Sequence, residues 1–121
     1  MKISLIAVFM LFITGASQPA KENANEILEV VVYKIKPQYL DTYTLRLDEL
    51  HALMKNLKGF ISIQTFQSQD VRTQFVDQCL WESLTDAQKA AQDVNAMPEF
   101  QIFFAMMDTV IYFDHVQFIS Q

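Results

Sequence analysis

Residues 79–88 read Cys-Leu-Trp-Glu-Ser-Leu-Thr-Asp-Ala-Gln, and they decide the architecture because they join a strand to a helix within a few residues. The apolar strand pattern ends on a tryptophan. Thr85 is predicted to be the N-cap of the helix, with Gln88 closing a capping box and Asp86 at the positive end of the helix dipole. The strand is therefore expected to stop near Ser83.

The rest of the chain supplies the partners of this strand and helix. Strands are predicted over residues 27–35, 60–67, 74–82 and 109–119 from runs of β-branched and alternating side chains. Helices are predicted from Pro37 to a closing Gly59, over residues 86–95, and over residues 98–107 with Phe100, Phe103, Phe104 and Met107 on one face. The order β-α-β-β-α-β predicts an α+β, ferredoxin-like fold with a four-stranded antiparallel sheet and helices on one face.

The first strand, Ile27 to Ile35, carries apolar side chains on both faces. Leu28, Val30 and Val32 point one way, and the other face carries Ile27, Val31, Tyr33 and Ile35. Helices on one sheet face leave the second face uncovered, so a second copy of the chain is expected to cover it. The sequence therefore predicts a homodimer.

The Trp-Glu-Ser-Leu-Thr-Asp-Ala element at residues 81–87, followed by Pro-Glu-Phe at residues 98–100, resembles the antibiotic biosynthesis monooxygenase (ABM) superfamily. The resemblance covers residues 26–119 and implies a dimeric α+β barrel with a pocket between sheet and helices. Some members oxidise aromatic polyketides without a cofactor, so that an activated, electron-rich substrate itself reduces oxygen.

The N-terminus has the pattern of a secretory signal peptide. Lys2 precedes a run from Ile3 to Ile13 that is apolar except for Ser4, and small residues follow at 14–17. A signal peptide is predicted over residues 1–17, a flexible tail over 18–25, and an ABM-like domain over 26–121. We expect a periplasmic or secreted protein with no stable membrane insertion after cleavage, because the apolar run is too short to span a bilayer.

Composition narrows the functional class. Half of the 121 residues (51%) are hydrophobic, which fits one globular domain with a substantial core. The net charge of −5 argues against nucleic-acid binding, which needs clustered cations.

Cys79 has no partner for a disulfide and is expected to be a buried thiol. No metal or phosphate motif occurs, and Met106 and Met107 lie on an apolar stripe, so no metal site and no cofactor are predicted.

Two histidines are candidate catalytic residues. His115 lies in the apolar last strand, where its ring either hydrogen-bonds within the core or a dimer interface, or lines a ligand cavity. His51 lies about seventy degrees from the centre of the apolar stripe of the first helix, by the helical period of ~3.6 residues. It occupies either a solvent boundary or the edge of a cavity between helix and sheet.

Four further residues complete the predicted site. Trp81 is either a core anchor or, as the resemblance implies, the border of the pocket, and it is grouped with the histidines as catalytic. Tyr33, Arg46 and Phe104 are the predicted substrate-binding residues. Arg46 could hold a carboxylate or enolate, or it could instead pair with Glu49 on the helix surface.

Haem degradation, which other members of the superfamily carry out, is not expected. Those members combine a strand tryptophan with an asparagine on the first strand and a haem-ligating histidine on the second helix. Here the first strand, residues 27–35, has no asparagine, and the helical span 86–108 has no histidine. We therefore expect an exported cofactor-independent monooxygenase that acts on a small aromatic or quinone-like compound. The alternative is a non-catalytic small-molecule-binding or stress-associated dimer.

Overall fold

The computed structural model describes residues 25–120. The predicted signal peptide and residues 18–24 of the predicted tail lie outside this range. The strands are β1 (Ile27–Ile35), β2 (Phe60–Gln67), β3 (Gln74–Trp81) and β4 (Met107–Val116). The helices are α1 (Leu40–Leu45), preceded by a 3-10 turn at Pro37–Tyr39, α2 (Leu47–Met54), α3 (Leu84–Ala96) and α4 (Pro98–Met106).

The four strands form one antiparallel sheet in the order β2-β3-β1-β4, which confirms the predicted ferredoxin-like topology. Residues that share a register row point to the same face. One row brings Thr65, Asp77, Val31 and Phe113 together across all four strands. These side chains therefore lie side by side on the face that the helices cover.

The core lies between this face and the helices. Its largest fully buried side chains are aromatic or β-branched and come from both layers: Trp81, Tyr33, Tyr43, Phe100, Phe103 and Ile35. The second face carries apolar residues on every strand, among them Phe66 and Tyr112, which are about half exposed at 48% and 50%. The two-sided hydrophobicity predicted for the strands is thus present.

The first helix is broken, where the sequence predicted a continuous one. The backbone turns at Arg46, with φ −100° and ψ 7°, and its N–H is shared between the carbonyls of Thr42 and Tyr43. The second half ends at Met54, and a turn then leads to Gly59. The apolar stripe survives this break, since Tyr43 and Leu50 are both buried.

The predicted cap of α3 was wrong by two residues. Ser83 is the N-cap, and its hydroxyl accepts a hydrogen bond from the N–H of Asp86 at 3.1 Å. Thr85 lies inside the first turn because β3 already ends at Trp81, which leaves Ser83 in the extended conformation that a cap needs. Asp86 sits in the first turn, as predicted.

Gly59 is required where it stands, between α2 and β2. Its φ is +83°, and a Cβ placed there would lie 2.3 Å from the Asp86 carboxylate. The same carboxylate accepts a hydrogen bond from Lys58 at 3.1 Å. The start of β2 is thereby fixed against the N-terminus of α3.

Candidate functional site

A cavity of about 320 Å³ lies between the helix-covered face of the sheet and the helices. Its wall is mostly apolar, with Val31, Met54 and Phe100 as representative members. Five lining residues carry polar groups, and they come from β1, β3 and α3: Glu29, Tyr33, Asp77, Trp81 and Asn95. The volume and the few polar groups are typical of a small-molecule site.

Three of the predicted site residues line this cavity: Trp81, Tyr33 and Phe104. His115 and His51 lie one step behind the wall, each connected by hydrogen bonds to a lining carboxylate. Arg46 lies elsewhere. The structure therefore brings five of the six predicted residues to one place, two of them indirectly.

Trp81 closes one part of the cavity at the end of β3. It is 1% exposed, and its ring packs edge-on against Phe60 at 5.9 Å between centroids. Its Nε1 is buried and has no hydrogen-bond partner, and it is the one such side-chain nitrogen or oxygen among residues 25–120. A buried donor without an acceptor is costly, and such groups are rare in folded proteins. The Trp81 side chain thus lines the cavity and carries a buried donor that no acceptor of the described residues satisfies.

Asp77 lies at the centre of the sheet and collects hydrogen bonds on one oxygen. The Thr65 hydroxyl donates to Oδ1 at 2.7 Å, and the Tyr33 hydroxyl donates to the same atom at 3.0 Å. Tyr33 is also hydrogen-bonded to the hydroxyl of Tyr43. A carboxylate on the cavity wall is thus held by hydroxyl groups from β1 and β2.

His51 joins this network from α2. Its Nε2 lies 2.9 Å from the Thr65 hydroxyl oxygen, so that Thr65 connects it to Asp77. The ring is partly buried and does not line the cavity. Of the two positions that the sequence left open, His51 takes the boundary position.

Glu29 and His115 form a second, direct pair. They are register partners on β1 and β4, and His115 Nε2 lies 2.9 Å from Glu29 Oε2. The Phe113 ring packs edge-on against the imidazole at 5.1 Å between centroids. Glu29 lines the cavity, and His115 holds it from behind.

Burial controls the ionisation of these groups. Desolvation, together with the Asp77 charge, raises the pKa values of Tyr33 and Tyr43 far above that of free tyrosine, so both stay protonated. Desolvation also raises the pKa of Asp77, against the opposing effects of its hydrogen bonds from Thr65 and Tyr33. Burial raises the pKa of the Cys79 thiol, and the nearby carboxylates add to this, which leaves the thiol inert as predicted.

Arg46 takes the surface alternative that the sequence allowed. Its guanidinium forms two hydrogen bonds to Glu49, at 3.0 and 2.8 Å, and lies over the Phe103 ring at 5.2 Å from the centroid. It does not line the cavity. The structure thus places Arg46 apart from the other predicted substrate-binding residues, Tyr33 and Phe104.

Sequence reasoning missed the two carboxylates, although a signal was present. Glu29 and Asp77 are the acidic residues of β1 and β3, and strand alternation puts them on the same face as the aromatic residues Tyr33 and Trp81. Charged residues at such positions point to a site, because burying them costs free energy. Thr65 and Tyr43 carried no comparable signal.

No group of three or more histidine, cysteine or acidic side chains within residues 25–120 could hold a metal ion. Met106 is buried in the core, and Met107 packs against it. In the same part of the chain, no helix has the length and hydropathy needed to cross a bilayer.

A model of the antibiotic biosynthesis monooxygenase family matches residues 13–105. The chain belongs to this family. No curated protein matches the sequence of this ABM protein. Its fold is similar to that of a candidate antibiotic biosynthesis monooxygenase from Bordetella bronchiseptica, with a TM-score of 0.65 and 13% identity, over 79% of this chain and 99% of that one.

Two further solved structures share the fold of this ABM protein. One is a variant of SnoaB, a cofactor-independent oxygenase from Streptomyces nogalater, with a TM-score of 0.58 and 16% identity over 81% of this chain and 95% of that one. The other is a conserved protein from Methanosarcina mazei, with a TM-score of 0.61 and 12% identity over 78% and 94%. At these identities the likeness establishes the fold.

Proposed function

We propose that this ABM protein is an exported homodimer that oxygenates a small aromatic or quinone-like compound in its cavity without a cofactor. The observation that carries the proposal is an apolar cavity lined by Trp81, whose buried N–H has no partner, and by the carboxyl-bearing residues Glu29 and Asp77. An oxygen atom of a bound phenol or quinone would accept this hydrogen bond. The apolar wall would hold the ring.

In the proposed oxygenation the protein binds the substrate and transfers protons, and the substrate itself supplies the electrons. A phenol that loses its hydroxyl proton becomes an electron-rich anion, which can pass an electron to O₂ and then combine with the reduced oxygen at a ring carbon. Loss of the ring proton and cleavage of the O–O bond convert that carbon to a carbonyl group. The balance is one phenol and one O₂ to one quinone and one water, with the substrate oxidised and O₂ reduced.

Glu29 is the proposed base for the first step. It lines the cavity and its Oε2 is held by His115 at 2.9 Å, so that a proton arriving on the pair can be shared with the imidazole. Trp81 would stabilise the oxygen anion that this step creates, because a fixed donor in a site of low dielectric acts strongly on developing charge. Phe104 and Tyr33 would flank the ring.

The homodimer forms part of the proposal because the second sheet face is apolar. Phe66, Tyr112 and Val116 remain 48%, 50% and 38% exposed there. A second copy would cover this face. Export is proposed from the signal-peptide pattern of residues 1–17, and it favours detoxification or quinone-related chemistry as much as biosynthesis.

A non-catalytic binding dimer is the second candidate, and one observation favours it. Asp77 already accepts two hydrogen bonds and Glu29 is paired with His115, so both carboxylates are engaged with the protein's own side chains. A cavity of this kind can hold an aromatic ligand without removing its proton.

The first test is oxygen consumption by the purified protein, without added flavin, haem or metal, against phenols, hydroquinones and anthrone-like compounds. Wild type is compared with Trp81→Phe, which keeps an aromatic ring but removes the N–H, and with His115→Gln. We expect kcat/KM to fall roughly a hundredfold in Trp81→Phe, as for the loss of an oxyanion donor. Tyr39→Phe, which likewise keeps a ring and removes a polar group, but at an exposed position away from the cavity, is the control.

The outcomes separate the two candidates. Turnover that falls in both site variants and not in the control supports the oxygenase. If wild type binds a ligand saturably but consumes no oxygen, the oxygenase is contradicted and the non-catalytic binding dimer is supported. Turnover that Trp81→Phe leaves unchanged would contradict the assignment of the indole N–H to the substrate oxygen.

A further inference from the structure

Two hydrogen-bonded branches meet at Asp77, and only one of them reaches the outside of the described domain. The tyrosine branch runs from Asp77 to Tyr33 and Tyr43, both 0% exposed, and goes no further among residues 25–120. The other branch runs from Asp77 through Thr65 to His51, whose ring is partly exposed on α2. Only the histidine branch can exchange protons with water.

The histidine branch also has a direction. A threonine hydroxyl carries one proton, and the 2.7 Å contact to Asp77 assigns that proton to the carboxylate. The hydroxyl oxygen must then accept from His51 Nε2 at 2.9 Å, so His51 carries its proton on Nε2. Both steps of the branch therefore donate inward, toward the cavity.

We propose that His51, Thr65 and Asp77 form a proton relay that delivers protons from water to the molecule bound in the cavity. Asp77 is the group that touches this molecule, and His51 and Thr65 act through it as positioning residues. Both hydrogen bonds that Asp77 accepts within residues 25–120 end on Oδ1, which leaves Oδ2 for the cavity.

Each transfer balances. Asp77 gives a proton to the bound molecule and becomes a carboxylate. The Thr65 O–H bond breaks and an O–H bond forms on Asp77. The His51 Nε2–H bond breaks and restores the Thr65 hydroxyl, while His51 takes up a proton from water at Nδ1. Before the next transfer His51 gives the Nδ1 proton back to water and takes up a proton at Nε2, which restores the starting tautomer. Rotation of the carboxyl group about Cβ–Cγ, a torsion with broad minima, returns the proton to the cavity side.

The relay rests on the proposed function and completes it. Reduction of O₂ to water needs two protons on the oxygen atom that leaves, and Glu29 was assigned to removing protons, not to supplying them. The groups that face Asp77 are Glu29 and Tyr33 on β1, Tyr43 on α1 and His51 on α2. Burial raises the pKa of Asp77, which suits a carboxyl group that must hold a proton before it gives one away.

The first experiment needs no substrate. Nitrogen NMR of the imidazole rings in the free protein determines which nitrogen of neutral His51 carries the proton, and how fast that proton exchanges with water. We expect the proton on Nε2, with exchange about tenfold faster in Thr65→Val, which removes the hydroxyl at nearly constant shape. Thr109→Val, at an exposed position of β4, is the matched control and should leave exchange unchanged.

The second experiment uses whichever compound wild type oxygenates. His51→Gln keeps a donor for Thr65 but cannot take up a proton from water. We expect kcat to fall about 10- to 100-fold with KM unchanged, a loss of the pH dependence that His51 contributes, and partial rescue of His51→Ala by added imidazole. A structural role would not predict the rescue.

Failure of the relay and failure of the proposed function look different. A proton on Nδ1 of His51, exchange that Thr65→Val does not change, or unchanged kcat and pH profile in His51→Gln would each overturn the relay while turnover continues. Absence of turnover by wild type, with the NMR results as expected, would contradict the oxygenase and leave the inward hydrogen bonds established.

Discussion

Glu29 and Asp77 both enter the cavity from the sheet, but their surroundings differ. Glu29 is paired directly with His115, and the two side chains keep 12% and 18% exposure beside the edge strand β4. Asp77 stands on an inner strand, held by two hydroxyl groups, with a histidine only at the second step. A partner that can carry charge stabilises an anion directly, whereas hydroxyl groups at a buried position only partly replace water.

The largest expected effect that tests this difference is a loss of folding stability at alkaline pH. Tyr33 and Tyr43, on the Asp77 side, have pKa values raised above the ordinary 10.0. Because the folded state keeps these protons while the unfolded state releases them, stability is complete below pH 10 and is lost as pH rises above it. We expect a loss of about 3 kcal/mol per pH unit for two such groups, measured by urea unfolding between pH 9 and about 11.5.

Removing both hydroxyls should remove most of this dependence. The variant Tyr33→Phe with Tyr43→Phe is compared with Tyr39→Phe, which changes an exposed tyrosine. If the double variant loses stability with pH as steeply as wild type, the Asp77 side is not the desolvated network described above.

The next effect is a difference between the two carboxylates near neutral pH. The pKa of Asp77 in the folded protein is raised above 3.8, so its contribution to stability is complete below that value and is lost as pH rises through the folded-state pKa. We expect Asp77→Asn, which keeps an acceptor for Thr65 and Tyr33, to be more stable than wild type at pH 7. The slope that it removes is at most about 1.4 kcal/mol per pH unit.

Glu29→Gln provides the contrast in the same series of urea titrations. His115 lies within hydrogen-bond distance of Glu29 and can also pair with the amide of a glutamine, so we expect no gain in stability at pH 7 from this substitution. A gain equal to that of Asp77→Asn would show that the two carboxylates are equivalent, and it would remove the comparison.

The smallest effect is the coupling between Glu29 and His115 themselves. A double-mutant cycle with Glu29→Gln and His115→Gln, measured by urea unfolding, should give a coupling of roughly 1 kcal/mol, the usual net value of one hydrogen bond, because each glutamine keeps a polar group for the partner that remains. Repeating the cycle at low and high salt tests whether the coupling free energy is electrostatic, because salt weakens interactions between charges. A coupling of several kcal/mol would mean that the two side chains act as a buried ion pair and not as a single ordinary hydrogen bond.

The sequence predicted the sheet well because alternation of side chains is a strong local signal. β1 and β2 begin and end at the predicted residues, Ile27–Ile35 and Phe60–Gln67. The prediction was wrong for β4, which runs over Met107–Val116 and not over 109–119, because α4 already ends at Met106. The predicted start of α3 was also wrong, because capping side chains compete locally. Ser83 and Thr85 both suit an N-cap, and the end of β3 at Trp81 decides between them.

The candidate site was predictable only in its apolar part. Trp81, Tyr33 and Phe104 were found from residue type and resemblance. Hydrogen bonds between residues far apart in sequence, such as the 44-residue separation of Tyr33 and Asp77, depend on strand register that no local pattern fixes. The hydrogen bonds that connect His51 through Thr65 to Asp77 could not be predicted for the same reason.

Trp81 is the only tryptophan of the chain, and it lines the cavity. Its fluorescence therefore reports on this one place, without a label and without background from other indoles. A quinone seated against the ring should quench the emission, while a saturated compound of the same size should leave the intensity nearly unchanged. The protein thus carries its own optical sensor for occupancy, and a library of compounds can be ranked before any reaction is known.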